Sequence, residues 1–95
     1  MTIEMRRIGN VLDSRPEGRE AFLGIRPTLP TSQEEITLDF QGVDVLTPSF
    51  ADEFVTALIE LYPGKIQFSN TTNVSVKETL EFLSESWPHG TYQMK

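Results

Sequence analysis

Short segments in which apolar and polar residues alternate are separated along this chain by longer segments with helical periodicity. The alternating segments are residues 3–6, 36–40 and 66–69. A period of two is typical of a strand with one buried face and one polar face. Because strands that alternate with helices usually pair in a parallel or mixed sheet, the order β-α-β-α-β-α predicts an α/β protein.

Three helices are predicted between and after these strands. The first begins at Ser14, where Ser14 and Glu17 form a capping box with Pro16 in the first turn. The second covers residues 49–62, in which large apolar residues recur every three or four positions. The third covers residues 73–86 and has the same periodicity.

All three predicted strands keep one polar face, which indicates that the helices gather on the opposite face. We therefore expect a small two-layer sandwich with a mixed, three- to four-stranded sheet and three helices mainly on one side. A chain of 95 residues has the length of one domain. We assign residues 1–88 to that domain and residues 89–95 to a C-terminal tail.

Composition and charge argue against several functional classes. The net charge of −6 disfavours binding to nucleic acid phosphates. No cysteine is present and His89 is the only histidine, so we predict neither a metal site nor another cofactor. The chain has no apolar run of the ~20 residues that a membrane span needs and no signal-like segment after Arg6 and Arg7. We expect a cytoplasmic protein.

Catalysis is not expected from these residues either. A Ser-His-Asp triad would require His89 to fold back onto Ser49, which nothing in the sequence supports. Carboxylate chemistry stays open, since Asp39, Asp44 and Asp52 are able to converge. A core of this size, however, leaves little room for a substrate pocket of ~300 Å3 or more. We name no catalytic residue and expect a non-enzymatic protein.

The most informative segment runs from a strand through a tight loop into the start of the second helix. Residues 39–43 read DFQGV and residues 49–54 read SFADEF, while SRPEGR occupies residues 14–19. Together these blocks resemble the STAS-like family, relatives of the anti-sigma-factor antagonists. The resemblance spans roughly residues 12–60, with weaker agreement to about residue 85.

The resemblance implies a regulatory module that switches protein partners. In the antagonists, a serine at this helix start is phosphorylated by an ATPase-fold kinase that is also the binding partner. By position that serine is Ser49, and it is followed here by Phe50 where the antagonists have glycine. The partner is thus expected to be an ATPase-fold kinase or sensor. The predicted partner-binding loop comprises Asp44, Thr47, Pro48, Ser49, Phe50, Asp52 and Glu53.

Other interpretations of the same residues remain open. Ser49 is equally suited to cap the second helix, or Thr47 caps it with Pro48 in the first helical position. Arg15 and Arg19 lie one helical turn apart and are suited to ion pairs with nearby acids. Alternatively, together with the loop at residues 47–49, they form the site of a small-anion or nucleotide sensor. A constitutive interaction domain is the third alternative, and unpaired edge strands are compatible with a homodimer.

Overall fold

The computed structural model describes residues 1–94. Its strands are β1 (Thr2–Glu4), β2 (Val11–Leu12), β3 (Ile36–Asp39), β4 (Val45–Leu46), β5 (Ile66–Ser69) and β6 (Tyr92–Met94). Its helices are α1 (Arg15–Ile25), α2, and α3 (Val74–Ser84). We use α2 for one continuous helix made of Pro48–Ala51, a π-helical turn at Asp52–Thr56, and Ala57–Leu61.

The main sheet has four strands in the order β1-β3-β5-β6, and every pair is parallel. Leu38 at its centre is in register with Ile3 on one side and Phe68 on the other. The short strands β2 and β4 form a second, two-stranded parallel sheet. The predicted α/β class is confirmed, with parallel pairing throughout where a mixed sheet was expected.

The three helices belong on one face of the main sheet because of its strand order. Each strand is added beside the previous one, and right-handed crossovers in one direction place all connecting helices on the same side. The side chains facing the helices, such as Leu38, Ile66 and Phe68, are fully buried. The opposite face carries a polar row in register: Thr2, Thr37, Gln67 and Gln93. The result is the two-layer arrangement expected from the sequence.

The end of the chain differs from the expected tail. Tyr92–Met94 pair with β5 and become the fourth strand of the sheet. The ring of Tyr92 lies 5.8 Å from that of Phe68 and 5.2 Å from that of Trp87, between centroids. A strand of three residues is too short to show a periodicity in the sequence. This strand forms because its backbone pairs with the edge of β5 and the ring of Tyr92 packs against those of Phe68 and Trp87. Lys95 lies outside the described residues.

Candidate functional site

The start of α2 is fixed by Thr47. Its side-chain oxygen accepts a hydrogen bond from the backbone N–H of Phe50 at 3.4 Å, and Pro48 takes the first helical position. The backbone N–H of Thr47 donates to the carbonyl oxygen of Leu12 at 3.0 Å, which ties the cap to β2. Of the two caps that the sequence allowed, the structure therefore has Thr47.

Ser49 is exposed in the first turn of α2. Among residues 1–94 its hydroxyl has no hydrogen-bond partner, since the capping position is occupied by Thr47. Pro48 and Asp44 beside it are also exposed. The side-chain amide of Asn10 donates to the carboxylate of Asp44 at 3.1 Å, which holds the loop against the segment before β2.

Phe50 does not belong to the exposed part of the predicted partner-binding loop. Its side chain is fully buried and its ring stacks on that of Phe54 at 5.8 Å between centroids. An aromatic residue after Ser49 is accommodated because this position of the first turn points into the core. The exposed members of the predicted loop are Asp44, Pro48 and Ser49, and Thr47, Asp52 and Glu53 are half-buried.

Arg15 joins the start of α1 to the second turn of α2. Its Nη1 lies 2.8 Å from Oδ2 of Asp52 and 3.2 Å from Oε1 of Glu53. Hydrogen bonds to these carboxylates, the one to Asp52 first, raise the pKa of Arg15 above its ordinary value. Arg15 thus serves as a bridge between helices, and Arg19 is exposed with no ion pair among residues 1–94. The two arginines do not converge on an open anion site.

Gly18 explains how Arg15 comes so close to α2. A Cβ atom at this position would lie 2.5 Å from the carbonyl oxygen of Phe50 and 3.1 Å from its Cα. Only glycine permits this approach of the two helix backbones. This role was not predicted from the sequence. The available signal was a glycine inside a well-capped helix, where it costs about 1 kcal/mol relative to alanine and so indicates a packing reason.

The π-helical turn of α2, Asp52–Thr56, lies where α1 packs against it. Apolar periodicity did not reveal it, because the buried positions Phe54 and Leu58 keep a spacing of four residues across it. Such turns are frequent at functional sites. Here the turn includes both acids that bind Arg15.

Besides the cluster of Arg15, Asp52 and Glu53, a second polar cluster lies at the carboxyl edge of the main sheet. Oδ1 of Asp39 accepts hydrogen bonds from the side-chain amide of Asn70 at 2.7 Å and from the backbone N–H of Gln41 at 3.0 Å. These bonds, with a smaller contribution from the charge of Arg6, hold the pKa of Asp39 below its ordinary value. Asn70 has a φ of 55°, and Asn73 caps α3 by accepting from the backbone N–H of Val76 at 3.1 Å.

The polar side chains of this cluster bind one another and the nearby backbone, as is usual in turns and helix caps. Ligands of open α/β sheets bind at the carboxyl edge where the strand order reverses. The order β1-β3-β5-β6 never reverses, so the main sheet has no switch point of this kind. A cavity of about 460 Å3 nevertheless lies at this edge, lined by residues 40–44 and by Asn70, Thr72 and Asn73. The three aspartates considered for acid–base chemistry also do not converge: Asp39 binds Asn70, Asp44 binds Asn10 and Asp52 binds Arg15. Within the described part of the chain, no three His, Cys, Asp or Glu side chains are placed to hold a metal ion.

The family comparison matches residues 17–76, more than half of the chain, to a STAS-like domain of unknown function, DUF4325. The matched segment contains Gly18, the whole of α2 and the cluster of Asp39 and Asn70, whereas Arg15 lies just before it. No curated protein and no solved structure matches the chain. None of the helices within residues 1–94 combines the length and the apolar character needed to cross a membrane.

Proposed function

Because the chain belongs to the STAS-like family, we propose that it is a non-catalytic regulatory module that binds a protein partner through the start of α2. The binding face comprises the exposed residues Asp44, Pro48 and Ser49 together with the half-buried Asp52 and Glu53 behind them. Phosphorylation of Ser49 controls the partner. The partner suggested by the resemblance to anti-sigma-factor antagonists is a cytoplasmic ATPase-fold kinase or sensor.

The observation that carries this proposal is the position of Ser49. Its hydroxyl is exposed in the first turn of α2 and is not needed as a cap, because Thr47 has that role. A kinase is therefore able to reach Ser49 without unwinding the helix.

A phosphate at Ser49 would change the electrostatics of this face. It brings a charge of about −1.5 to −2 at neutral pH, one helical turn before Asp52 and Glu53. Of the first N–H groups of α2 only that of Ser49 is free, within residues 1–94, to bind the phosphate, because Pro48 has none and those of Phe50 and Ala51 donate to Thr47. The neighbouring carboxylates oppose the phosphate. Since Arg15 is shared between both carboxylates, the added charge stays largely uncompensated. A partner that tolerates the unmodified face would be repelled by the modified one.

A pull-down from the host's lysate with full-length baits tests this proposal. The baits are the wild type, Ser49→Ala and Ser49→Asp, and Ser32→Asp serves as the control for added charge at an exposed serine elsewhere. We expect one partner to be retained by the wild type, Ser49→Ala and Ser32→Asp and lost by Ser49→Asp. Mass spectrometry of the wild-type bait should find phosphate on Ser49. Identical partners on all four baits would leave a constitutive interaction domain.

A further inference from the structure

An open groove lies between α1 and α2, on the far side of their contact at Gly18. The groove begins beside the contact at Gly18, where Glu53 approaches this glycine, and extends along α2 to Leu61. Phe22 forms the α1 side together with Arg26, which directly follows the last residue of α1. The α2 side is formed by Asp52, Glu53, Thr56, Ala57, Glu60 and Leu61. The groove has a volume of about 440 Å3, which is larger than the pocket expected from the length of the chain, and it is open to solvent.

Three of the side chains that line this groove are apolar: Phe22, Ala57 and Leu61. Leu61 is 43 % exposed, which is unusual for a leucine in a helix whose other large apolar side chains are buried. Phe22 and Ala57 are half-buried beside it. Exposed apolar side chains that adjoin one another and have a polar rim mark interaction surfaces rather than random surface residues.

The charges of the groove are unevenly distributed. The α2 wall carries Asp52, Glu53 and Glu60, and residues 48–61 contain no lysine or arginine. Asp52 and Glu53 already share Arg15. Glu60 has no ion-pair partner within 4.0 Å among residues 1–94, and neither does Arg26 on the opposite wall. The groove therefore presents a carboxylate without an ion pair beside one exposed apolar side chain, Leu61, and two half-buried ones, Phe22 and Ala57.

We propose that this groove binds an amphipathic helix of the protein partner, one that presents apolar side chains flanked by lysine or arginine. This inference rests on the proposed function, because it names the kind of segment by which the partner docks. An amphipathic helix lays its apolar face into a groove with anchors three or four residues apart, which matches the two turns available here. Its basic residues face Glu60, so that charge complementarity sets its orientation.

A second copy of this chain is a poorer occupant. The chain has a net charge of −6, and two acidic α2 walls would face each other in a symmetric pair. A basic helix removes this repulsion instead of adding to it.

The experiment uses the full chain and a defined probe. The probe is a fluorescein-labelled peptide of leucine and lysine in which the leucines follow one helical face. Two control peptides have the same leucines with glutamate in place of lysine, or the same composition in scrambled order. The groove variant is Glu60→Lys with Leu61→Ser. The control variant is Glu81→Lys with Phe82→Ser, which changes an exposed acidic–apolar pair of the same kind on α3.

At physiological ionic strength, we expect the patterned peptide to bind the wild type and the α3 variant equally, and the groove variant at least about tenfold more weakly. Both control peptides should bind the wild type about tenfold more weakly than the patterned peptide. Thermal unfolding of the variants confirms that they remain folded.

Three results would overturn the proposal: no binding of the patterned peptide, equal binding of the scrambled peptide, or equal binding to the groove variant. A dimer in sedimentation that the groove variant dissociates would place a second copy in the groove and would also overturn it. The peptide assay needs neither lysate nor modification of Ser49. A negative result here therefore leaves the Ser49 pull-down intact, and failure of the pull-down leaves the peptide assay intact.

Discussion

The helices α1 and α2 lie side by side, yet they are held in the fold by different means. The inward residues of α2 are at most 2 % exposed: Phe50, Ala51, Phe54, Val55, Leu58 and Ile59. On α1 only Gly18 is buried, Ala21, Phe22 and Ile25 are half-buried, and Leu23 is exposed. The centre of the helix layer is therefore α2, and α1 lies against it from outside.

This difference indicates which helix is more easily displaced when a residue at the start of α2 is changed. Burial holds α2 in place, whereas α1 is held by its half-buried apolar residues, by the close approach at Gly18 and, to a smaller extent, by the exposed ion pairs of Arg15. The contacts of Gly18 and Arg15 fall on residues 50–53, next to Ser49. We therefore expect a change at the start of α2 to act on its contacts with α1.

The largest expected difference in stability is between variants of one phenylalanine from each helix. Phe54→Ala removes a fully buried ring and should lower the free energy of unfolding by about 3–5 kcal/mol. Phe22→Ala removes a half-buried ring from the groove and should cost about 1 kcal/mol. Urea denaturation of both variants measures the difference. Equal losses would mean that α1 is as central as α2.

The second effect concerns two glycines of α1. Gly18→Ala places a methyl group against the backbone of Phe50 and should cost about 1–3 kcal/mol. A methyl group at Gly24 would meet no atom within 4 Å, so Gly24→Ala should gain up to about 1 kcal/mol from helix propensity alone. The free energies of unfolding of the two variants should therefore change in opposite directions. Stabilisation by both would contradict the close approach of α1 and α2.

The third expected effect is a difference in stability between variants of Thr47, which caps α2, and of Ser49, which does not. Thr47→Ala removes the cap of α2 and should lower the free energy of unfolding by about 1 kcal/mol. Ser49→Ala removes a hydroxyl without a partner and should change it by less than about 0.5 kcal/mol. Thermal and urea unfolding of the two variants decide between them. The reverse order would make Ser49 the cap and would remove the main support for a modification site there.

The smallest effect is that of Arg15. Arg15→Gln should lower Tm slightly, and most of that difference should disappear in high salt, because the ion pairs are exposed and screened. Arg19→Gln, from the same helix, should leave Tm unchanged at either salt concentration. A loss for Arg15→Gln that salt does not reduce would show that the side chain packs rather than pairs.

Elements with their own periodicity were predictable from the sequence. The segment 66–69 was predicted as a strand and is β5, and Ser14 caps α1 by accepting from the backbone N–H of Glu17 at 3.1 Å. Apolar spacing alone also located α2. These features depend on neighbouring residues in the chain, which a single sequence displays.

Features that depend on distant residues were not predictable in the same way. Thr47 and Ser49 both satisfy the local rules for a helix cap. Thr47, which caps the helix, also donates hydrogen bonds to Leu12, a contact with a distant part of the chain that the local sequence does not display. The two-residue strands β2 and β4 are too short to show a period. The groove arises from the angle between α1 and α2, which follows from the packing at Gly18.

The strand order of the main sheet has a consequence for how the protein is made. Along the chain, β1, β3, β5 and β6 emerge in the same order in which they stand side by side. No strand has to insert between two that have already paired, so each is able to join the growing edge as it leaves the ribosome. Domains generally fold from the N-terminus during synthesis, and this topology lets the sheet do so one strand at a time.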